Sequence, residues 1–368
     1  MTSLSDLPLR ADLVGKTPYG APQDAVPVSL NVNENTHPIP EHVVADITAS
    51  LEAAVRGANR YPDREFLGLR GALADYLGHG LSAEQLWAAN GSNEVLQQVL
   101  QAFGGPGRTL LSFTPSYSMY SILANGTGTD WVAVPRPEDF ALSPEFVAAA
   151  LAEAQPDIAI ICAPNNPTGT PVSRETILAA YDAFDGILIV DEAYREFADD
   201  DDAWPGAVSL LPGRHRMLVS RTMSKAFAFA GVRLGYLAAD AAVIDALRLV
   251  RLPYHLSALT QAAATAALRH AETMLGTVAE IRAQRDRLAA ALTDLGYRVY
   301  PSGSNFLLAG GFADPVDTFT KLRERGILIR DVGIPGHLRF TAGTDEETGI
   351  LIGALQELRA IEQGASQS

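Results

Sequence analysis

Three lysines, Lys16, Lys225 and Lys321, carry every side-chain primary amine in this chain. Lys225 stands out by its setting. It lies in R-T-M-S-K-A-F-A-F-A-G-V-R, residues 221–233, directly after an apolar run that ends at Ser220. A free lysine has a pKa near 10.4, so only about one in a few thousand is neutral at pH 7. Burial lowers that pKa and frees the amine as a nucleophile, which Schiff-base chemistry requires. A snorkelling surface lysine fits poorly with the Phe and Ala neighbours.

Three other polar clusters also follow apolar runs. Asp191 comes directly after G-I-L-I-V, and a half-buried carboxylate is costly unless paired. A protonated ring nitrogen would suit it; the plainer reading is a surface carboxylate at a strand end. N-G-S-N-E at 90–94 opens a helix, whose free N–H groups can cradle an anion. The plainer reading there is an N-cap by Ser92 or Asn93. A-P-N-N-P-T-G at 163–169 is either a turn or a loop that presents an amide side chain to a ligand. Each cluster is weak alone. Together, an anion cradle, a loop Asn, a strand-end acid and a lysine beside Ser and Arg are the parts that bind pyridoxal phosphate (PLP).

Other chemistries lack their signatures. The sequence has no G-x-G-x-x-G, no G-x-x-x-x-G-K-[ST] and no G-x-S-x-G. The seven histidines are dispersed and the one cysteine, Cys162, has no mate, so no metal spacing appears. His255 and His337 read as structural or exposed.

The elements that must position these residues alternate. The sequence predicts strands at Trp87–Ala89, Thr109–Phe113, Asp157–Cys162, Gly186–Val190 and Arg216–Ser220. It predicts helices at about Asn93–Phe103 and Ser173–Phe184. Strands apolar on both faces and separated by helices indicate a parallel sheet covered on both sides, hence an α/β core. In such sheets ligands bind at the carboxyl ends of the strands. From about Leu256 to Leu295 the pattern predicts one long helical stretch. Short strands near Tyr297–Tyr300, Asn305–Leu308 and His337–Thr341 follow, with helices near Val316–Arg325 and from about Glu346. This describes a smaller α+β domain. The expected division is 45–270 as a large cofactor-binding domain, and 1–44 with 271–368 as the small one. The acidic run Asp199–Asp202 reads as a solvated loop and Gln363–Ser368 as a frayed tail.

Composition narrows the partners. With 28 basic against 43 acidic residues the net charge is −15, which argues against nucleic acid and anionic membrane. No apolar run reaches the ~18 residues of a membrane span. The N-terminus lacks a signal-peptide pattern and a disulfide within the chain is impossible with one cysteine. These features read as a cytoplasmic protein.

The sequence as a whole resembles the fold-type I PLP-dependent aminotransferases, in their histidinol-phosphate branch. The likeness is carried by L-N-V-N-E-N (30–35), N-R-Y-P-D (59–63), N-G-S-N-E (90–94), P-S-Y-S-M-Y (115–120), P-N-N-P-T-G (164–169), V-D-E-A-Y (190–194), S-K-A-F-A-F-A-G-V-R-L-G (224–235) and L-R-F-T-A-G-T (338–344). The resemblance implies the fold-type I architecture, with a mostly parallel central sheet in the large domain. It implies Lys225 as the Schiff-base lysine and general acid–base, and Asp191 as the partner of the pyridine nitrogen. Asn166 and Tyr194 would bond the ring's 3-oxygen and Tyr117 would stack on the ring. Ser92, Asn93, Thr222, Ser224 and Arg233 would hold the cofactor phosphate. Tyr61 resembles the tyrosine that reaches this phosphate from a second subunit, implying a homodimer with shared sites. Tyr19, Asn33, Arg330 and Arg339 resemble the substrate pocket.

The implied reaction is transamination between L-histidinol phosphate and 2-oxoglutarate, a step of histidine biosynthesis. Two departures stand out: N-E-N-T-H-P replaces the common N-E-N-P, and Asn93 stands where many members have Asp. The alternatives are an aromatic amino acid aminotransferase on the same scaffold, a decarboxylase-like lyase sharing the cofactor motifs, and, remotely, a non-catalytic PLP-binding regulator.

Overall fold

A computed structural model describes residues 3–18, 20–198 and 204–365. Its strands are β1 (Val28–Ser29), β2 (Leu86–Asn90), β3 (Thr109–Thr114), β4 (Asp130–Pro135), β5 (Ile158–Cys162), β6 (Ile187–Asp191), β7 (Met217–Thr222), β8 (Leu234–Ala238), β9 (Arg298–Val299), β10 (Phe306–Gly310), β11 (Ile327–Leu328) and β12 (His337–Thr341). Its α-helices begin with α1 (Glu41–Arg56), α2 (Leu67–Leu77), α3 (Ser92–Phe103), α4 (Met119–Thr127), α5 (Pro144–Ala154) and α6 (Arg174–Asp182). They continue with α7 (Ala241–Val250), α8 (Ala258–Arg269), α9 (Ala271–Met274), α10 (Val278–Asp294), α11 (Pro315–Glu324) and α12 (Asp345–Ala365).

Seven strands form the central sheet in the order β2-β8-β7-β6-β5-β3-β4. All run the same way except β8, which is antiparallel to both β2 and β7. Every residue of β5 and of β7 is buried, as the continuous apolar run of β5 and the apolar start of β7, Met217–Val219, require in strands of a covered parallel sheet. The largest core cluster packs around this sheet, from Val43 on α1 to Met274 on α9. One polar group inside it is paired across elements: the Trp87 indole donates to Gln98 Oε1 of α3 at 2.7 Å.

A three-stranded antiparallel sheet, β12-β10-β9, and the parallel pair β1–β11 make a second core. Val28 and Leu30 join Leu288, Leu307, Phe340 and Leu355 there, so the N-terminal segment packs with the C-terminal elements. A third cluster, including Tyr194, Ala226, Ile281 and Phe306, fills the space where elements of the two halves meet.

Three sequence expectations need correction. The stretch 256–295 is not one helix. It breaks at His270, which leaves helical geometry (φ −114°, ψ 27°), and again around Gly276. The breaks let α10 leave the first core and bury Leu288 and Leu292 in the second. The chain's last helix runs through Ala365, past the expected start of a frayed tail. Strands β4 and β8 escaped the pattern reading altogether. In β4 the residues from Trp131 on alternate between exposed and half-buried at an edge, and β8 follows an irregular loop that alternates Ala with Phe. The acidic run 199–202 lies outside the described residues.

Candidate active site

Parallel strands put their carboxyl ends on one edge of the sheet, and a cavity of about 490 Å³ opens there. Lys225, Asp191, Tyr194, Asn166, Tyr117, Ser92, Asn93, Thr222, Ser224, Arg233, Asn33, Arg330 and Arg339 all line it. Two expected residues do not. Tyr61 is 80 % exposed, its ring stacked on Tyr254 at 4.5 Å. Tyr19 lies outside the described residues.

Lys225 follows β7 in a tight loop and donates from Nζ to the Val32 carbonyl oxygen at 2.8 Å. Burial pushes its amine down to about 8, helped by the nearby Arg339 and Arg233 guanidiniums and opposed by Glu34. The amine is therefore partly neutral near neutral pH.

Asp191 ends β6 and is only 2 % exposed, so the surface-carboxylate reading fails. Its Oδ2 accepts from the Tyr120 hydroxyl at 2.7 Å, whereas Oδ1 is buried without a hydrogen-bond partner. Burial raises this carboxyl to about 6, against the Tyr120 hydroxyl and the Ala193 N–H, which pull it down. A buried acceptor without a donor has a cost that a cationic N–H on a ligand would remove.

Across the cavity, α3 begins at Ser92 with Gly91 as its N-cap, at φ 87°. The sequence reading of Ser92 or Asn93 as the cap is thus corrected: neither side chain caps the helix, and Asn93 Oδ1 is buried without a partner. Glu94 instead reaches back to the Asn90 N–H at 2.8 Å. Two glycines make room for this turn. A Cβ on Gly91 would lie 2.6 Å from Arg233 Nη2, and one on Gly235 would lie 2.0 Å from Ser92 N. Because β8 runs antiparallel, Arg233 at its amino end reaches the same sheet edge as the carboxyl ends of its neighbours. Arg233 Nη1 donates to the Ala230 carbonyl at 3.0 Å and lies 3.5 Å from the Ser224 hydroxyl. Thr222 Oγ1 lies 3.0 Å from that same hydroxyl.

The remaining wall is a connected polar network. The Tyr194 hydroxyl accepts from Asn33 Nδ2 at 3.0 Å and from Asn166 Nδ2 at 3.3 Å. Burial holds the phenol well above its ordinary pKa, so it stays protonated. Arg339 donates to Asn166 Oδ1 and to the Asn31 carbonyl, both at 2.7 Å. Asn165, the other amide of the loop, does not face the cavity as Asn166 does: it accepts from Ser116 Oγ and donates to Thr168 Oγ1, stitching two loops together.

This arrangement can take up an aldehyde on Lys225, a protonated ring nitrogen at Asp191 Oδ1 and an anion at the start of α3. The donors and gaps present therefore fit pyridoxal phosphate. Sequence reasoning missed three contributors: Tyr120, Asn31 and Cys162. Tyr120 carried a signal, since it follows Tyr117 by three residues in a segment that enters a helix, and such pairs share a face. Among the described residues no cluster of three metal-ligating side chains occurs, and no helix is long and apolar enough to cross a membrane.

Comparison with known proteins agrees with this chemistry. The family model for aminotransferase class I and II matches residues 25–355. The chain is 56 % identical over 358 residues to a histidinol-phosphate aminotransferase of Paenarthrobacter aurescens, covering 96 % of each chain. It is 54 % identical over 372 residues to one of Mycolicibacterium smegmatis, covering 100 % of this chain and 97 % of that one. Among solved structures, the Thermus thermophilus aspartate aminotransferase with maleate superposes with a TM-score of 0.75 at 26 % identity, covering 91 % of both chains. The Sinorhizobium meliloti histidinol-phosphate aminotransferase in complex with pyridoxal-5'-phosphate shares the fold, with a TM-score of 0.80 at 24 % identity over 91 % of both chains. A chain so similar over its whole length, with an amine, a buried acid and an anion cradle at one sheet edge, belongs to the class I and II aminotransferase family, among the histidinol-phosphate aminotransferases.

Proposed function

We infer that this enzyme transfers an amino group between L-histidinol phosphate and 2-oxoglutarate, giving imidazole acetol phosphate and L-glutamate, with pyridoxal phosphate as cofactor. The observation that carries the reading is the meeting of Lys225, Asp191 Oδ1 and the start of α3 in one cavity of a chain so similar to histidinol-phosphate aminotransferases. When bound, pyridoxal phosphate supplies the carbonyl that takes up the amino group and a ring that delocalises the electron pair left by a departing proton.

In this reading the chain's own residues do the following. Lys225 Nζ would hold the cofactor at its carbonyl and, as a free amine, would accept and return a proton; its depressed pKa suits it to both tasks. Asp191 Oδ1 holds the ring nitrogen protonated. Asn166 and Tyr194 present an amide N–H and a hydroxyl to the ring's 3-oxygen, and Tyr117 covers the ring face. The N–H groups at Ser92 and Asn93, with Thr222, Ser224 and Arg233, hold the cofactor phosphate. Arg339 and Arg330, with Asn33 and Tyr19, take the anionic ends of the substrates. Neither departure from the common motifs touches Lys225, Asp191 or Arg233.

The reading extends to assembly and place. Residues 45–270 act as the cofactor-binding domain, with 1–44 and 271–368 as the small domain; the separate cores support this. Two copies share their sites, each lending Tyr61. The exposure of Tyr61, Leu249 and Leu252 supports a covered surface there. The enzyme works in the cytoplasm without nucleic-acid or membrane partners, a reading supported by the net charge of −15 and the buried, unpaired Cys162.

Rates with L-histidinol phosphate, phenylalanine and tyrosine, each with 2-oxoglutarate as acceptor, test the substrate. A kcat/KM for histidinol phosphate at least about tenfold above both supports the reading, since a charged hydrogen bond contributes that much. Parity with phenylalanine would move the assignment to an aromatic aminotransferase.

A further inference from the structure

Tyr120 and Asp191 are 71 residues apart in sequence, yet the phenol donates to Oδ2 at 2.7 Å. Both are almost fully buried. Tyr120 sits in the first turn of α4, its N–H bonded to the Tyr117 carbonyl at 3.1 Å and its ring edge-on to Tyr117 at 5.6 Å. A carboxylate has two equivalent oxygens and a broad, two-fold terminal torsion. A donor on one oxygen breaks that equivalence and leaves the other aimed elsewhere. Here Oδ1 is the one left unpartnered, and Asp191 lines the cavity.

We propose that Tyr120 is a positioning residue that fixes the Asp191 carboxylate in the apoprotein with Oδ1 presented to the cofactor's ring nitrogen. The proposal rests on the pyridoxal phosphate reading of the cavity. Among the described side chains of the neighbouring elements, Tyr120 is the one hydrogen-bonded to this carboxylate, with the Ala193 N–H as a backbone donor beside it. Cys162 on β5 stands opposite Asp191 in the sheet register, but its thiol donates to the Pro164 carbonyl at 3.3 Å. Burial pushes that thiol up to about 12, so it adds no charge. Ser220 on β7 also stands opposite, with its hydroxyl unpaired. Glu192, next in the chain, is occupied by Arg221 at 2.8 Å. The Tyr120 phenol stays protonated, since burial and the Asp191 charge hold it well above its ordinary range.

Tyr120→Phe keeps the ring and removes one hydroxyl. The probes are pyridoxal phosphate and its carbocyclic analogue lacking the ring nitrogen, with affinity measured by equilibrium titration of apoprotein. Pyridoxal phosphate should bind roughly ten- to a hundredfold more weakly, the effect of losing a charged hydrogen bond. The analogue, which offers Asp191 nothing to pair with, should bind as tightly as to wild type. The loss should shrink as pH rises, because Asp191 then ionises without help. In an Asp191→Asn background the same change should cost less than about threefold. No loss, or an equal loss for both probes, overturns the proposal. A wild-type protein that retains no pyridoxal phosphate would instead overturn the cofactor reading on which it rests.

Discussion

Arg330 and Arg339 face each other across an isolated antiparallel bridge, with Arg330 N donating to the Arg339 carbonyl at 3.2 Å and Arg339 N to the Arg330 carbonyl at 3.0 Å. Residues that exchange both bonds lie directly opposite, so their side chains leave the ladder on the same side. Both guanidiniums therefore line one cavity, although nine positions separate them. A chain of net charge −15 needs such a local cationic trap for a phosphorylated substrate. Arg330→Ala should raise KM for histidinol phosphate by about one to two decades, the scale of one charged hydrogen bond. Activity with phenylalanine should suffer less. Equal losses in steady-state assays would show that Arg330 serves a common carboxylate or the fold.

Lys225 captures the cofactor only as the neutral amine, and its pKa is near 8. The rate of covalent capture by apoprotein should therefore rise with pH and level off above about 8. Arg339→Leu removes a positive neighbour and should move the inflection upward. Stopped-flow absorbance reads both. An inflection that stays where it is would separate Arg339 from Lys225. Borohydride reduction should tag Lys225; a tag on Lys16 or Lys321 would refute the assignment.

Asp191 has a folded-state pKa near 6, above the usual carboxylate value. In the apoprotein its charge is thus a penalty that is complete above about pH 6 and vanishes as pH falls toward 4. Apoprotein carrying Asp191→Asn should melt about 2–5 °C higher than wild type at pH 7, with the gap closing near pH 4. Turnover should meanwhile fall by at least about two decades. Calorimetry that finds the variant less stable at pH 7 would contradict the burial argument.

Gly235 leaves space that the Gly91–Ser92 turn occupies, and a Cβ there would meet Ser92 N at 2.0 Å. Gly235→Ala should displace the start of α3, weaken pyridoxal phosphate binding about tenfold or more, and cost ~1–3 kcal/mol of stability. Denaturant titration and cofactor titration check the two effects. Unchanged cofactor affinity would remove the turn from the binding site.

Tyr61 stacks on Tyr254 at the surface, and Arg251 ties the two loops together through Glu65. If the active unit is a dimer, Tyr61→Phe should weaken cofactor retention without loosening the monomer's core. Light scattering during turnover that finds an active monomer would defeat the shared-site reading.

The sequence by itself determined that β5, β6 and β7 become buried strands and which polar residues stand at their ends. Asp191 at the end of β6, Asn166 in the loop after β5 and Lys225 in the loop after β7 each follow an apolar run that ends abruptly, and burial of that run decides where they sit. Tertiary structure decided what those residues meet. The antiparallel course of β8 carries Arg233 to the shared edge, and no local pattern marks strand direction. Pairing of β1 with β11 brings Val32 to Lys225. Packing of α4 delivers the Tyr120 hydroxyl to one oxygen of Asp191. The break before α10 also escaped periodicity, because both pieces keep a helical pattern while facing different cores. Strand and helix preferences act over a few residues, whereas these contacts join segments tens to hundreds of residues apart, and only the packed cores select them.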